Sequence, residues 1–202
     1  MKTAYQLLLT FSLLLAAPGT SFATTILVMG DSLSAAYGIA QQSGWVNLLQ
    51  QQLPQQRVIN ASISGETTAG GTARLPTLLQ QHQPDIVIIE LGANDGLRGL
   101  PIKEMQKNLA QMIQQSQAIK AQVLLVGLRL PPNYGPAYTR AFEESYSALA
   151  KQYRARLLPF LFTGLEDSSR HFQADNLHPT AAAQPILLNN VWQQLQPMLR
   201  TK

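Results

Sequence analysis

The chain has 202 residues, 46% of them hydrophobic and 13% charged, with a formal net charge of +4. That is enough apolar material for one cored domain, which excludes a disordered chain, and too little length for three. Cysteine is absent, which excludes disulfides, thiolate catalysis and thiolate metal sites, and the basic residues are scattered rather than gathered into a stripe for nucleic acid.

Residues 1–23 read as a cleaved secretory signal. Lys2 supplies a positive start, Leu7 to Ala17 an apolar run, and Ser21-Phe22-Ala23 a small-x-small cleavage site. The run is well short of the ~20 residues a bilayer needs, and Pro18-Gly19 closes it. The expectation is an exported protein, periplasmic or secreted, whose mature chain is residues 24–202, with no stable membrane insertion.

Five short apolar, branched runs follow: Thr25 to Met29, Arg57 to Ile63, Ile86 to Leu91, Val123 to Leu128 and Leu157 to Phe162. Each has the character of a strand buried on both faces. Between them, Met105, Leu109, Met112, Ile113 and then Phe142, Tyr146, Leu149, Tyr153 recur at helical spacing. Strand then helix, repeated, predicts an α/β domain: a three-layer α/β/α sandwich on a five-stranded parallel sheet, doubly wound and flavodoxin-like. The last helix, Thr180 to about Leu199, contains Pro185 and is expected to kink or restart there. No linker or repeat divides residues 24–202, and a small domain of this kind is expected to be a monomer.

Open parallel sheets bind ligands beyond the carboxyl ends of their strands. Three such positions carry chemistry: Gly30-Asp31-Ser32-Leu33-Ser34, Ser64-Gly65-Glu66 and Gly92-Ala93-Asn94-Asp95. Ser32 is expected to open a helix, where the dipole suits a nucleophile; the plainer alternative is a helix cap. A serine needs a base. His82 closes a helix, and His171 lies in a polar loop. His178 has Asp175 three residues before it, a spacing that lets a carboxylate orient the imidazole, although a metal ligand or a surface pair has the same spacing. Taken with Ser32, the order Ser, Asp, His fits a triad. The Ser32 amide, the Gly65 amide and the Asn94 side chain, from three strand ends, could stabilise an oxyanion, while Gly65 and Asn94 taken singly are ordinary turn residues.

The blocks Gly30-Asp31-Ser32-Leu33, Gly65, Gly92-x-Asn94-Asp95 and Asp175-x-x-His178-Pro179 resemble, in order and spacing, the four sequence blocks of the SGNH (GDSL) hydrolases. The stretches Asn60 to Thr67, Glu90 to Gly99 and Arg129 to Gly135 are similar to the exported bacterial thioesterase I/protease I/lysophospholipase (arylesterase) group of that family. Glu66 stands where the group often has Asp, and Ala93 where it often has Gly.

The resemblance implies the SGNH hydrolase fold over residues 24–202 and a Ser32 nucleophile with His178 as acid and base, oriented by Asp175. It also implies an oxyanion hole from Ser32, Gly65 and Asn94. The substrate it implies is a small-molecule acyl ester or thioester such as an aryl ester, acyl-CoA or lysophospholipid, with no cofactor and no metal. Because the motif is Gly-Asp-Ser-Leu rather than Gly-x-Ser-x-Gly, no strained nucleophile elbow is expected.

Leu97, Leu100, Pro131, Pro132 and Tyr134, after the third and fourth strands, are candidates for an acyl trough. Asp31 and Asp95 are expected to hold the loops behind the site through backbone hydrogen bonds, and Glu90 to be a paired structural carboxylate. A metal site on Asp31, Asp95 and Asp175 is disfavoured by the neutral Ser32 and Asn94 among them. A carbohydrate O-acetylesterase is the nearest rival activity. A nucleotide binder lacks its glycine motifs here, and a non-catalytic exported binding protein has no need of Ser32, Asp175 and His178 together.

Overall fold

The computed structural model describes residues 23–165 and 169–199. Residues 1–22 of the expected signal segment lie outside the described residues. Five parallel strands, β1 (Thr25–Gly30), β2 (Arg57–Asn60), β3 (Ile86–Glu90), β4 (Gln122–Val126) and β5 (Arg156–Leu158), form one sheet in the order β2-β1-β3-β4-β5. The apolar runs of β1, β3 and β4 mark strands that helices cover on both faces, whereas the edge strands β2 and β5 are only partly buried, against the expectation that all five are buried. Ile26 to Met29 and Ile86 to Ile89 are almost wholly buried, so neither face calls for a polar residue.

Helices α1 (Trp45–Gln52) and α6 (Gln184–Met198) pack together on one face. On the other lie α2 (Thr68–His82), α4 (Ile102–Ala118) and α5 (Pro136–Tyr153), with α2 against α4 and α4 against α5. The short α3 (Ala93–Leu97) follows β3. Met105, Leu109, Met112 and Ile113 form the buried stripe of α4, as their spacing implies. Pro185 marks a restart: a 3-10 turn over Ala181–Ala183 precedes α6, where the proline sits in the first turn and its missing N–H costs nothing. No helix among the described residues is long and apolar enough to cross a membrane.

Three local expectations are corrected. Ser32 does not open a helix. The chain turns on itself from Ser32 to Gly38, and Ala36 (φ 58°) and Gly38 (φ 73°) are left-handed, which stops helical propagation. β2 ends at Asn60 rather than Ile63, because the Asn60 side chain accepts from Ser62 N and donates to Ser34 O. The chain nevertheless stays against β1, through Ala61 N to Val28 O and Ile63 N to Gly30 O. β5 ends at Leu158, since Pro159 has no N–H to continue the ladder.

Candidate active site

The carboxyl ends of β1, β2 and β3 deliver the three loaded loops to one end of the sheet. Ser32 follows β1 by two residues. Its φ is not among the left-handed ones. His178 reaches it from the far end of the sequence: the imidazole Nε2 lies 2.8 Å from Ser32 Oγ, and Nδ1 lies 2.7 Å from Asp175 Oδ2.

Asp175 Oδ1 accepts from the N–H groups of Leu177 and His178, at 2.9 and 3.0 Å. The backbone N–H of His178 above all, then its imidazole and the N–H of Leu177, hold the Asp175 carboxyl down at about 2. An ionised carboxylate only accepts, so Nδ1 carries the proton and Nε2 offers a lone pair to the Ser32 hydroxyl. These contacts make Ser32 a hydroxyl with a base in reach and a carboxylate behind that base, the geometry of an activated nucleophile.

Behind Ser32 lies a buried acidic layer. Asp31 Oδ1 accepts from Leu33 N at 3.0 Å, and Oδ2 from Asn94 Nδ2, also at 3.0 Å. Glu90 Oε2 accepts from Ser34 Oγ at 2.7 Å and more weakly from Asp31 N at 3.4 Å. Glu90 has no ion-pair partner among the described residues, which corrects the paired carboxylate expected there. Burial pushes the Glu90 carboxyl well above the usual carboxylate range, and the negative charge of Asp31 adds to the push. The neutral acid is the form that this site favours. Burial also raises Asp31, to about 6, against the lowering effect of its two hydrogen bonds.

Asp95 accepts from both the N–H (2.8 Å) and the hydroxyl (2.6 Å) of Thr68. It thereby ties the start of α3 to the first turn of α2, where a carboxylate also suits the helix dipole.

Asn94 uses one amide proton on Asp31 and keeps a second. The Ser32 amide has no hydrogen-bond acceptor among the described residues, and neither has that of Gly65. Gly65 sits in a turn at φ 78°, a conformation that side-chain-bearing residues resist, and Arg98 Nη2 donates to its carbonyl at 2.9 Å. Three uncommitted donors thus stand on three successive strand-end loops.

A cavity of about 400 Å³ opens beside Ser32, with Asn94 and His178 at its polar end. Leu97, Leu128, Leu130, Phe160, Phe162 and Phe172 form most of its apolar wall. Leu97 and Pro131 therefore lie where the sequence suggests a trough, while Leu100, Pro132 and Tyr134 do not line it. Tyr134 instead donates its hydroxyl to Leu97 O at 2.9 Å, and Tyr138 donates to Leu100 O at 2.7 Å. Tyr134, in the loop after β4, and Tyr138, in the first turn of α5, both strap the segment that follows β3.

The phenylalanines escape the sequence reading because Phe160 and Phe162 pass for strand residues. The overlooked signal is Pro159, which ends β5 and moves both rings to the carboxyl-end loops. A second cleft, about 530 Å³, lies at the opposite end of the sheet beside Gln122 and Arg156 and holds none of these groups. Among the described residues no group of three acidic or histidine side chains is placed to hold a metal ion. His82 ends α2, with Arg57 Nη2 3.5 Å from its Nδ1.

Residues 28–185 match the model of the GDSL-like lipase/acylhydrolase family. The chain is 52% identical to esterase TesA of Pseudomonas aeruginosa over 181 residues, which cover 88% of this chain and 90% of that protein. It is 43% identical to thioesterase 1/protease 1/lysophospholipase L1 of Escherichia coli, over 88% of this chain and 86% of that one. The crystal structure of the psychrotrophic esterase EstA from Pseudoalteromonas sp. superposes with a TM-score of 0.83 at 44% identity, covering 88% of this chain and all of that one.

Proposed function

Because this chain belongs to the GDSL-like lipase/acylhydrolase family and is a carboxylic ester hydrolase, we propose that it cleaves acyl esters and thioesters through an acyl enzyme on Ser32. The observation that carries this reading is the continuous pair of contacts from Ser32 Oγ to His178 Nε2 and from His178 Nδ1 to Asp175 Oδ2.

Ser32 Oγ attacks the acyl carbonyl as its proton passes to His178 Nε2. The oxyanion that forms is met by the Ser32 and Gly65 amides and by the Asn94 side chain, and each such donor is worth ~10² to 10³ in rate. His178 returns the proton to the leaving alkoxide or thiolate, leaving an acyl-serine. Water, deprotonated by the same imidazole, then releases the acid and restores the serine. Asp175 keeps the imidazole in the right tautomer and balances its charge while it is protonated. Asp31 and Asp95 keep Asn94 and its loop in place.

The substrates are small acyl esters and thioesters whose chain lies along the wall of phenylalanines and leucines, an apolar surface that favours medium or longer acyl groups over acetyl. Names of the relatives support that breadth: an esterase and a thioesterase/lysophospholipase. Export belongs to the same reading, with residues 1–23 as the signal and residues 24–202 acting as one monomeric domain.

The test is hydrolysis of p-nitrophenyl esters, acetyl through dodecanoyl, by residues 24–202 beside Ser32→Ala, with a chelator present. Turnover that survives chelation and disappears in the variant supports the reading. Equal turnover in the variant overturns it.

A further inference from the structure

Ser32 and His178 stand on two separate loops, 146 residues apart, and the chemistry proposed above depends on the gap between them. The loop that carries Asp175 and His178 is shaped internally. Phe172 and Pro179 form an antiparallel bridge, Gln173 N donates to His178 O at 2.8 Å, and Thr180 N donates to His171 O at 2.8 Å. These bonds fix the loop's form but not its position relative to Ser32.

The Gln173 side chain crosses to the other loop. Its Nε2 donates to Tyr37 O at 2.8 Å and to Pro179 O at 3.1 Å, so a single amide grips both loops at once. Tyr37 is five residues beyond Ser32, and its ring lies 4.4 Å from the His178 ring between centroids, tilted by 40°. Next to it, Gly38 makes room for the latch. A Cβ at Gly38 would overlap Gln173 Oε1, and the φ of 73° there already favours glycine. The pieces meet at one corner: a glycine that leaves space, a glutamine that fills it, and an aromatic ring that backs the imidazole.

We propose that Gln173 is a positioning residue whose side-chain amide latches the loop bearing Asp175 and His178 onto the loop following Ser32, and so sets the Ser32 to His178 contact. This inference rests on the Ser32 and His178 roles given under the proposed function. Gln173 touches none of the reacting atoms. Its loss leaves the Asp175–His178 pair intact within its own loop and shifts that pair as a unit away from Ser32. A misplacement of about 1 Å in a reacting pair costs on the order of 10²-fold in rate.

The experiment compares Gln173→Ala and Gln173→Glu with the parent and with Ser32→Ala. It reads kcat and KM for p-nitrophenyl butyrate, the rate of inactivation by a phosphonate ester, and the low-field proton resonance of the His178 Nδ1–H. Gln173→Glu keeps the size of the side chain while removing the N–H donor, so it carries the test if the alanine variant does not fold. The expected result is a 10- to 100-fold fall in kcat and in phosphonate inactivation, with KM within twofold and the low-field resonance retained. Loss of the resonance together with activity overturns the latch in favour of a merely structural role. An inactive Ser32→Ala beside Gln173 variants within twofold of the parent overturns the latch alone. Full activity in Ser32→Ala overturns the reading beneath it.

Discussion

Asp31→Asn separates the stability of this fold from its activity. The Asp31 carboxyl rises from 3.8 to about 6 on folding, chiefly because it is buried. Between those values the unfolded chain has lost a proton that the folded chain still holds, so stability falls as pH rises through this window. At ~1.4 kcal/mol per unit, the ionised side chain costs the fold about 3 kcal/mol above pH 6.

Asparagine has the same shape without the charge and escapes that cost. Its oxygen can keep the bond from Leu33 N, but its NH2 then faces the NH2 of Asn94, where Asp31 Oδ2 now accepts at 3.0 Å. Two donors cannot bond, so Asn94 turns its amide over and presents oxygen where the oxyanion forms. Losing that donor should lower kcat ~10²- to 10³-fold.

Urea denaturation at pH 5 and pH 8, together with p-nitrophenyl butyrate turnover at pH 8, reads both effects. The variant should be the more stable protein at pH 8, by up to about 3 kcal/mol, with a smaller difference at pH 5. A variant that is less stable than the parent at pH 8, or that keeps more than half its kcat, would refute the account of Asp31.

Asn94→Ala should lower kcat ~10²- to 10³-fold with little change in KM, measured on a short soluble ester where binding does not mask the chemical step. Asp175 is held at about 2, so it stays ionised through mild acid. Asp175→Asn should lower kcat at least ~10²-fold at every pH, because it disturbs the tautomer of His178. Phe162→Ala removes a ring from the apolar wall and lengthens the cavity, so kcat/KM across the ester series should shift toward longer chains; an unchanged length profile would remove the cavity from the acyl-binding role. Saturating chelator should leave turnover of the purified protein within a few per cent of the untreated rate.

Ser32, Gly65 and Asn94 were visible in the sequence because each follows a strand end closely. Ile26 to Met29 and Ile86 to Ile89 announce strands through composition alone, since a sheet buried on both faces needs an unbroken apolar run. Parallel pairing then carries Ser32, Gly65 and Asn94 to the same end of the sheet. Asp175 and His178 lie three apart, close enough for local spacing to pair them.

Other features depended on how non-periodic loops travel through space, which no local pattern encodes. The turn after Ser32 ends at Ala36 and Gly38, and nothing in Ser-Leu-Ser-Ala-Ala distinguishes it from a helix start. Phe160 and Phe162 became cavity wall only because Pro159 ended the ladder, and Phe172 joined them from a different loop. The neutralising environment of Glu90 comes from burial beneath Asp31, 59 residues away, and the grip of Gln173 on Tyr37 spans 136 residues. Composition and spacing determined the strands, their shared end and the chemistry placed there. The tertiary structure decided the shape of the cavity, the burial that raises the Asp31 and Glu90 carboxyls and the bond from Gln173 to Tyr37, because these rest on distances between segments that only meet once the chain is folded.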